Sequence, residues 1–304
     1  MAFSGLDQPP YLRSTFPFMT VLIAQAIIND PGSAFHGKKM DLVIESGVIK
    51  EISKTCKGKF DQEIKGESLT VSPGWVDLFA LFGDPGLEYK ETLESGAAAA
   101  AAGGFTDVFL LPNNKPVTDN KSQVEYLLHR SKTLPITVYP IGALTQEAAG
   151  KELAEMYDMH MSGAVAFSDG LMPVQSSGIL VKALQYVKVF NGVVMQIPDD
   201  KSIAPHGLMH EGIHSTRFGL AGKPILAEEL LVDRDIQLAR YAGSRIHFTG
   251  VTSSRSLEYI RQAKKDGLSV SCSVTPYHLS FTDEDLMNYD PQLTLSPPLR
   301  SKNE

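Results

Sequence analysis

The sequence is short of several things, and each shortage excludes a class of protein. Its 304 residues include two cysteines, Cys56 and Cys272, which lie far apart and in no C-x-x-C pair. That excludes a zinc ribbon or a disulfide framework and leaves free thiols, as expected of a cytoplasmic protein. Positive charge is scarce. Lys and Arg number 28 against 35 Asp and Glu, a net charge of −7, and the basic clusters are the pairs Lys38-Lys39 and Lys264-Lys265. No basic patch of the kind that binds nucleic acid is present, and nothing favours an anionic membrane. The apolar run Phe16–Ile28 (FPFMTVLIAQAII) follows Arg13 as a signal-peptide core would. It contains Pro17, Thr20 and Gln25, however, and is followed by the turn Asn29-Asp30-Pro31-Gly32 instead of a small-residue cleavage site. It is also too short to span a bilayer, so a buried strand is expected. Gly222-Lys223 lacks the upstream glycine and following Ser or Thr of a phosphate-binding loop. No low-complexity segment or Pro/Ser-rich linker interrupts the chain.

What is present is an ordinary globular composition, 43% hydrophobic and 21% charged, enough for a large core. Residues 1–16 read as a loosely held arm. Val21–Ile28, Asp41–Glu45, Val48–Ile52 and Ser68–Val71 are short β-prone runs separated by turn residues, and Glu45-Ser46-Gly47 is a hairpin signal. Together residues 1–72 are expected to form the arm and a small antiparallel β domain. From Pro73 onward apolar strands alternate with helical stretches. Strands are expected at Val76–Phe82, Thr106–Leu111, Ile136–Ile141, Ala164–Phe167, Gly192–Ile197, Arg245–Thr249 and Ser269–Val274. Helices are expected near Thr92–Ala102, Lys121–Ser131, Lys151–His160, Ser177–Phe190, Ala227–Ala242 and Ser254–Asp266. This rhythm predicts an α/β fold, a (β/α)8 TIM-type barrel over residues 73–304, with its eighth unit expected beyond Glu304. The six alanines Ala97–Ala102 predict a close helix–sheet packing face.

In such barrels chemistry sits where the strands end. The first strand offers Phe79, Leu81 and Gly83 there, none of which binds a metal. The fourth offers Asp169, a possible carboxylate ligand or a hydrogen-bonded structural group. The fifth offers Gln196, the sixth His247 and Gly250, and the seventh Thr275-Pro276-Tyr277-His278. His206, His210 and His214, with Glu211 among them, have the spacing of one helix face, but Pro205, Gly207 and Gly212 break any helix there. His247 is expected to be a hydrogen-bonded core histidine. Asn113 either lines a pocket or caps its own turn.

The stretches PGWVDLFALFGDPGLEYKETLESGAAAAAAGGFTDVFLLPNNKPVTD, AVAFSDG, GLMHEGIHSTRFGLAGKPILAEE, RIHFTGVTSSRSLEYI, SVTPYHLSFTDEDL and SPPLRS are collinear with those of class I dihydroorotases of the amidohydrolase superfamily, which the chain resembles from about Val21 to Arg300. The resemblance implies a metal-dependent barrel that interconverts dihydroorotate and N-carbamoyl-aspartate in pyrimidine biosynthesis, with zinc as the family's cofactor. It also implies that this member is degenerate. The family's His-x-His pair falls on Phe79 and Leu81, its carboxylate-gripping arginine on Gly83, and its later histidines on Gln196 and Gly250. Asp169 is the one metal position retained, and Asn113, His278 and Arg300 are what remains of a substrate pocket. On this reading no cofactor is expected. The chain is then a non-catalytic scaffold or regulatory partner of aspartate transcarbamoylase or another pathway enzyme, itself homo-oligomeric. The alternative is an active cyclic amidohydrolase with an atypical site, acting on dihydroorotate or on a hydantoin- or allantoin-type ureide. A ligand-binding protein without turnover is a third reading.

Overall fold

The computed structural model describes residues 19–302 and 304. The chain divides into two compact units, Met1–Trp75 and Val76–Glu304. The arm expected over residues 1–16 lies outside the described residues.

The first unit contains β1 (Thr20–Ile28), β2 (Lys39–Glu45), β3 (Val48–Ser53), β4 (Gln62–Ile64) and β5 (Thr70–Val71). β2 pairs antiparallel with β1 and with β3, and Ser46 and Gly47 turn the hairpin with φ of 51° and 78°. β4 and β5 run parallel to β1. The sheet is therefore mixed, not the antiparallel unit expected from the sequence. The chain leaves β3 in the direction of β1 and crosses back to the free edge of β1, which fixes parallel pairing there. Alternation along β1 buries Ala26 and Ile28 against Met40 and Leu42. The apolar run that mimics a signal core is thus a half-buried strand from Thr20 onward; its residues 16–18 lie outside the described residues.

The second unit is built from β6 (Trp75–Ala80), α1 (Leu93–Ala102), β7 (Phe105–Leu110), α2 (Lys121–Arg130), β8 (Thr137–Gly142), α3 (Met156–Met161), β9 (Ala166–Phe167), α4 (Ser177–Lys188) and β10 (Val193–Gln196). It continues through β11 (Met209–His210), α5 (Ile213–Phe218), β12 (Gly222–Lys223), α6 (Leu226–Ala242), β13 (Arg245–Phe248), α7 (Ser254–Lys265), β14 (Val270–Cys272) and α8 (Pro276–Ser280). Seven of the strands form one sheet in the order β14-β13-β10-β9-β8-β7-β6, with parallel pairing from β7 to β14. This is the curled parallel sheet of a TIM-type barrel.

Helix starts are set by side-chain caps. Thr92 and Ser95 exchange reciprocal bonds at the start of α1, the Ser95 amide to Thr92 Oγ1 at 3.1 Å and the Thr92 amide to Ser95 Oγ at 3.0 Å. Asn120, Ser176 and Ser253 cap α2, α4 and α7. The alanine run packs less than expected: Ala97 is buried, whereas Ala98, Ala99, Ala101 and Ala102 are exposed. The close approach is made by Gly96, where a Cβ would lie 2.6 Å from the Phe82 ring. α3 is also shorter than the expected Lys151–His160. The segment before it folds back on the end of β8, with Thr145 bridging Leu153 and the Ala154 amide bonding to Leu144 O.

The strand alternation gives the sheet two faces. Val108, Leu110 and Val138 pack with Leu93, Ala97 and Leu127 of α1 and α2. Val194, Ile246, Phe248 and Val270 pack under α4, α6 and α7. The opposite face looks into the lumen, where Phe79, Phe109, Leu111, Ile141, Ala166 and Met195 form a separate cluster.

Candidate functional site

The first strand shows how the mouth is built. Phe79 belongs to the lumen cluster and Leu81, the next position of the same parity, is 39% exposed. Gly83 follows at φ 76°, and a Cβ there would sit 3.1 Å from Leu87 Cβ. The acidic turn after it is structural. Asp84 is 3% exposed, accepts the Leu93 amide at the start of α1 at 3.3 Å, and receives the Tyr126 hydroxyl at 3.3 Å. A carboxylate at a helix N-terminus is favoured by the helix dipole. Gly86 is pressed so close to the next strand's loop that a Cβ would lie 1.9 Å from Lys115 O.

Asn113 and Asp169 are brought together, but both are spent on loops. The Asn113 amide donates to Asp169 O at 3.1 Å and its oxygen accepts the Leu171 amide at 3.0 Å. Asn113 therefore clamps the loop after β9 and does not cap its own turn. Gly170 is required beside it, because at φ 58° a Cβ would fall 1.9 Å from Asn113 Oδ1. Asp169 is fully buried, and both of its oxygens face Thr145, Oδ1 accepting the amide at 2.9 Å and Oδ2 the hydroxyl at 2.5 Å. Burial pushes its pKa up to about 6, against the opposing pull of the Thr145 bonds. Of the two sequence readings of Asp169, a carboxylate ligand or a hydrogen-bonded structural group, the Thr145 bonds are those of the second.

The fifth strand corrects the sequence expectation. Gln196 stands in register with Phe248, on the helix-facing side of the sheet. It is 1% exposed; its oxygen accepts the Val174 amide at 3.4 Å and its nitrogen donates to Asp235 Oδ2 of α6 at 3.5 Å. It does not face the mouth. Met195 faces the lumen, and the following position of that parity is Ile197, buried and apolar. Asp235, wholly buried, is held by Arg234 Nε at 2.7 Å, and Arg234 also bonds the carbonyls of Val174 and Gln175. After the sixth strand Gly250 has φ 73°, and a Cβ there would approach Pro297 Cδ to 3.1 Å. A side chain at this position meets both backbone strain and the loop carrying Pro297 and Pro298.

The lumen changes character at the sixth and seventh strands. His247 is 7% exposed, with Nδ1 2.8 Å from Ser271 Oγ and Nε2 3.1 Å from Ser273 Oγ; Thr249 Oγ1 lies 3.0 Å from Ser273 Oγ. Burial pushes the His247 pKa down to about 4, with a smaller contribution from Lys264. The imidazole is neutral at pH 7 and is the hydrogen-bonded interior histidine expected from the sequence.

His278 and Arg300 share the lining of one cavity of about 430 Å³, and Asn113 is not part of it. His278 spans Thr275 Oγ1 at 2.7 Å and Pro297 O at 3.0 Å. Arg300, 7% exposed, donates Nε to Thr252 Oγ1 at 2.8 Å and Nη2 to Glu228 at 3.2 Å. The three spaced histidines do not share a face: His206 lies in an exposed turn, His210 in β11, and His214 in α5, 3.6 Å from Glu284. Among the described residues no group of three or more His, Cys, Asp or Glu side chains can hold a metal ion. Of the partners that organise the site, Thr145 follows β8 by three residues, whereas Glu228 and Asp235 lie in α6 and Pro297 well beyond β14. Their only sequence signal was a polar or proline residue with no assigned task.

Residues 69–256 match the model of the dihydro-orotase-like family. The chain is similar to the dihydroorotase of Syntrophus aciditrophicus, 38% identical across 94% of this chain and 68% of that one. The dihydroorotase of Pelotomaculum thermopropionicum is 40% identical, across 94% and 67%. Among solved structures, the L-hydantoinase (dihydropyrimidinase) from Arthrobacter aurescens superposes with a TM-score of 0.79 at 22% identity, covering 94% of this chain. The chain spans 64% of that structure's length and about two thirds of the two dihydroorotases. No helix among the described residues is long and apolar enough to cross a membrane.

Proposed function

Because the chain belongs to the dihydro-orotase-like family, we propose that it is a non-catalytic member of that family, retained as a scaffold or regulatory partner of another pyrimidine-pathway enzyme. Aspartate transcarbamoylase is the first candidate partner. The observation that carries this reading is the mouth itself. Where the family's metal chemistry calls for imidazoles and a carboxylate, Phe79 packs in the lumen cluster, Leu81 and Ile197 occupy the next positions of inward parity past β6 and β10, Gly250 faces Pro297, and Asp169 is bound to Thr145. Zinc prefers nitrogen, sulfur or carboxylate donors in a tetrahedral set. These residues do not fit it, and without a metal no hydroxide forms at neutral pH. Gly83 likewise supplies no fork for a substrate carboxylate.

The partner role rests on the family resemblance and on available surface. Helix α6 leaves Leu226, Leu230 and Tyr241 exposed on its outer side, and such side chains suit an interface, including one between copies of this chain. The test is twofold. Purified protein is expected to contain less than 0.1 equivalent of zinc by elemental analysis and to leave dihydroorotate unchanged, while affinity capture from its own cells retains aspartate transcarbamoylase. Stoichiometric zinc with turnover of dihydroorotate or a hydantoin favours the alternative, an active amidohydrolase with an atypical site.

A further inference from the structure

A second cavity, of about 200 Å³, lies beside the mouth and is built differently from it. Five prolines line it: Pro198, Pro205, Pro224, Pro297 and Pro298. Proline fixes its own φ and carries no N–H, so these walls are stiff and present few backbone donors. Five charged side chains also line it, Lys201, Lys223 and Arg300 against Asp199 and Glu228, an excess of one positive charge.

The hydrogen bonds sharpen that imbalance. Both carboxylates are engaged by cations. Glu228 accepts the amides of Thr252 and Ser253, the Thr252 hydroxyl and Arg300. Asp199 takes Lys201 on one oxygen at 2.6 Å and Lys223 on the other at 2.7 Å. Lys223, 7% exposed, is saturated, since it also bonds Ile203 O at 2.9 Å. Arg300 is not. Nε and Nη2 have strong acceptors, Nη1 faces only His210 Nδ1 at 3.4 Å, and two of its five N–H groups have no acceptor among the described residues. Lys201 has Asp199 as its one ion-pair partner among the described residues, and its side chain is 39% exposed. Donors remain on Arg300 and Lys201, and the lining keeps one positive charge in excess, although Glu304 of the neighbouring cavity also acts on Arg300.

The geometry points to a binding site for a small organic monocarboxylate, held by Lys201 and Arg300 and packed against the prolines and Leu208. One negative charge balances the excess, and a carboxylate matches the planar guanidinium. The volume is below the ~300–1,000 Å³ of pockets for drug-sized ligands, so the occupant is a small molecule. The apolar walls favour a flat or short hydrocarbon body over a bare inorganic anion. The site shares Arg300 with the His278 cavity but no lining residue with the Asn113–Asp169 clamp, and it needs no turnover, so it stands whether or not the scaffold reading holds.

Calorimetric titration with benzoate tests this, with benzamide as the neutral isostere and inorganic phosphate as the anion without an apolar body. Benzoate is expected to bind at one equivalent and benzamide and phosphate not measurably. Lys201→Gln is expected to weaken benzoate about tenfold or more, the usual worth of a charge-assisted hydrogen bond. Lys201→Glu, which reverses the net charge of the lining, is expected to abolish binding. Leu208→Trp, at a residue 49% exposed, is expected to block the cavity while preserving the melting temperature. Benzamide or phosphate binding as well as benzoate overturns the assignment, as does unchanged benzoate affinity in Lys201→Glu or Leu208→Trp.

Discussion

The two sides of the barrel lumen are made of different material. From β6 to β10 the inward side chains are mostly apolar: Phe79, Phe109, Leu111, Ile141, Ala166 and Met195 pack on one another. On β13, β14 and just past β14 they are His247, Ser271 and Ser273, with the imidazole bonded to both serines. The loops above follow suit. The apolar side is closed by backbone contact, with Gly86 against Lys115 O and Lys115 N donating to Pro85 O at 2.9 Å. The polar side is closed by side chains, Arg300 and Glu228 gathering Thr252 and Ser253. A packed apolar lumen is a task of architecture. His247 keeps its polarity with a partner on each ring nitrogen, as expected when desolvation must be offset.

The largest effect follows from the backbone closure. Gly86→Ala places a methyl 1.9 Å from a carbonyl oxygen at a residue with φ 92°, whereas Gly267→Ala, between α7 and β14, meets the strain of φ 83° with nothing within 4 Å. Urea denaturation is expected to show a loss of about 4 kcal/mol or failure to fold for the first and about 1 kcal/mol for the second. Equal losses would mean that the apolar side is not held by close backbone approach.

A smaller effect tests the lumen itself. Phe79→His with Leu81→His restores the imidazole pair by sequence. It also removes a ring from the apolar cluster and buries polar nitrogens in its place, at a cost of about 3 kcal/mol, most of it from position 79. Because Asp169 remains bound to Thr145 and Gly250 remains under Pro297, the double variant is expected to carry no stoichiometric zinc. Zinc bound at one equivalent would show that the loops yield more readily than their packing implies.

How much of this could be read in the sequence depended on the distance between partners. The β6 strand, the Thr92 start of α1 and the apolar positions 79 and 81 are local patterns, and they were legible. Gln196 was assigned to the mouth although it ends β10 on the helix-facing side. The strand is only four residues long, too short for its parity to be read against its neighbours. The short segment Gln62–Ile64 carries no period at all, so the parallel additions to β1 were invisible. Gly250 meets Pro297, 47 positions later, and Gln196 meets Asp235, 39 positions later. Nothing in either local sequence announces those contacts.

The smallest effect separates the two sides by pH. Asp169 is raised from 3.8 to about 6 and His247 is lowered from 6.5 to about 4, each mainly by burial. For the acid, the folded state binds its proton more tightly than the unfolded state, so its contribution is full below pH 3.8 and is lost as pH rises through 6. For the histidine, the folded state resists protonation, so its contribution is full above pH 6.5 and is lost as pH falls towards 4. Between pH 7 and 5 the two therefore oppose each other, with about 1 kcal/mol gained at Asp169 and about 2 kcal/mol lost at His247. Asp169→Asn is expected to lose stability on acidification more steeply than the parent, and His247→Asn to gain it, when both are followed by urea midpoints across that range. Parallel curves would mean that the two buried groups keep their ordinary proton affinities, and that the contrast between the packed and hydrogen-bonded sides of the lumen is one of shape alone.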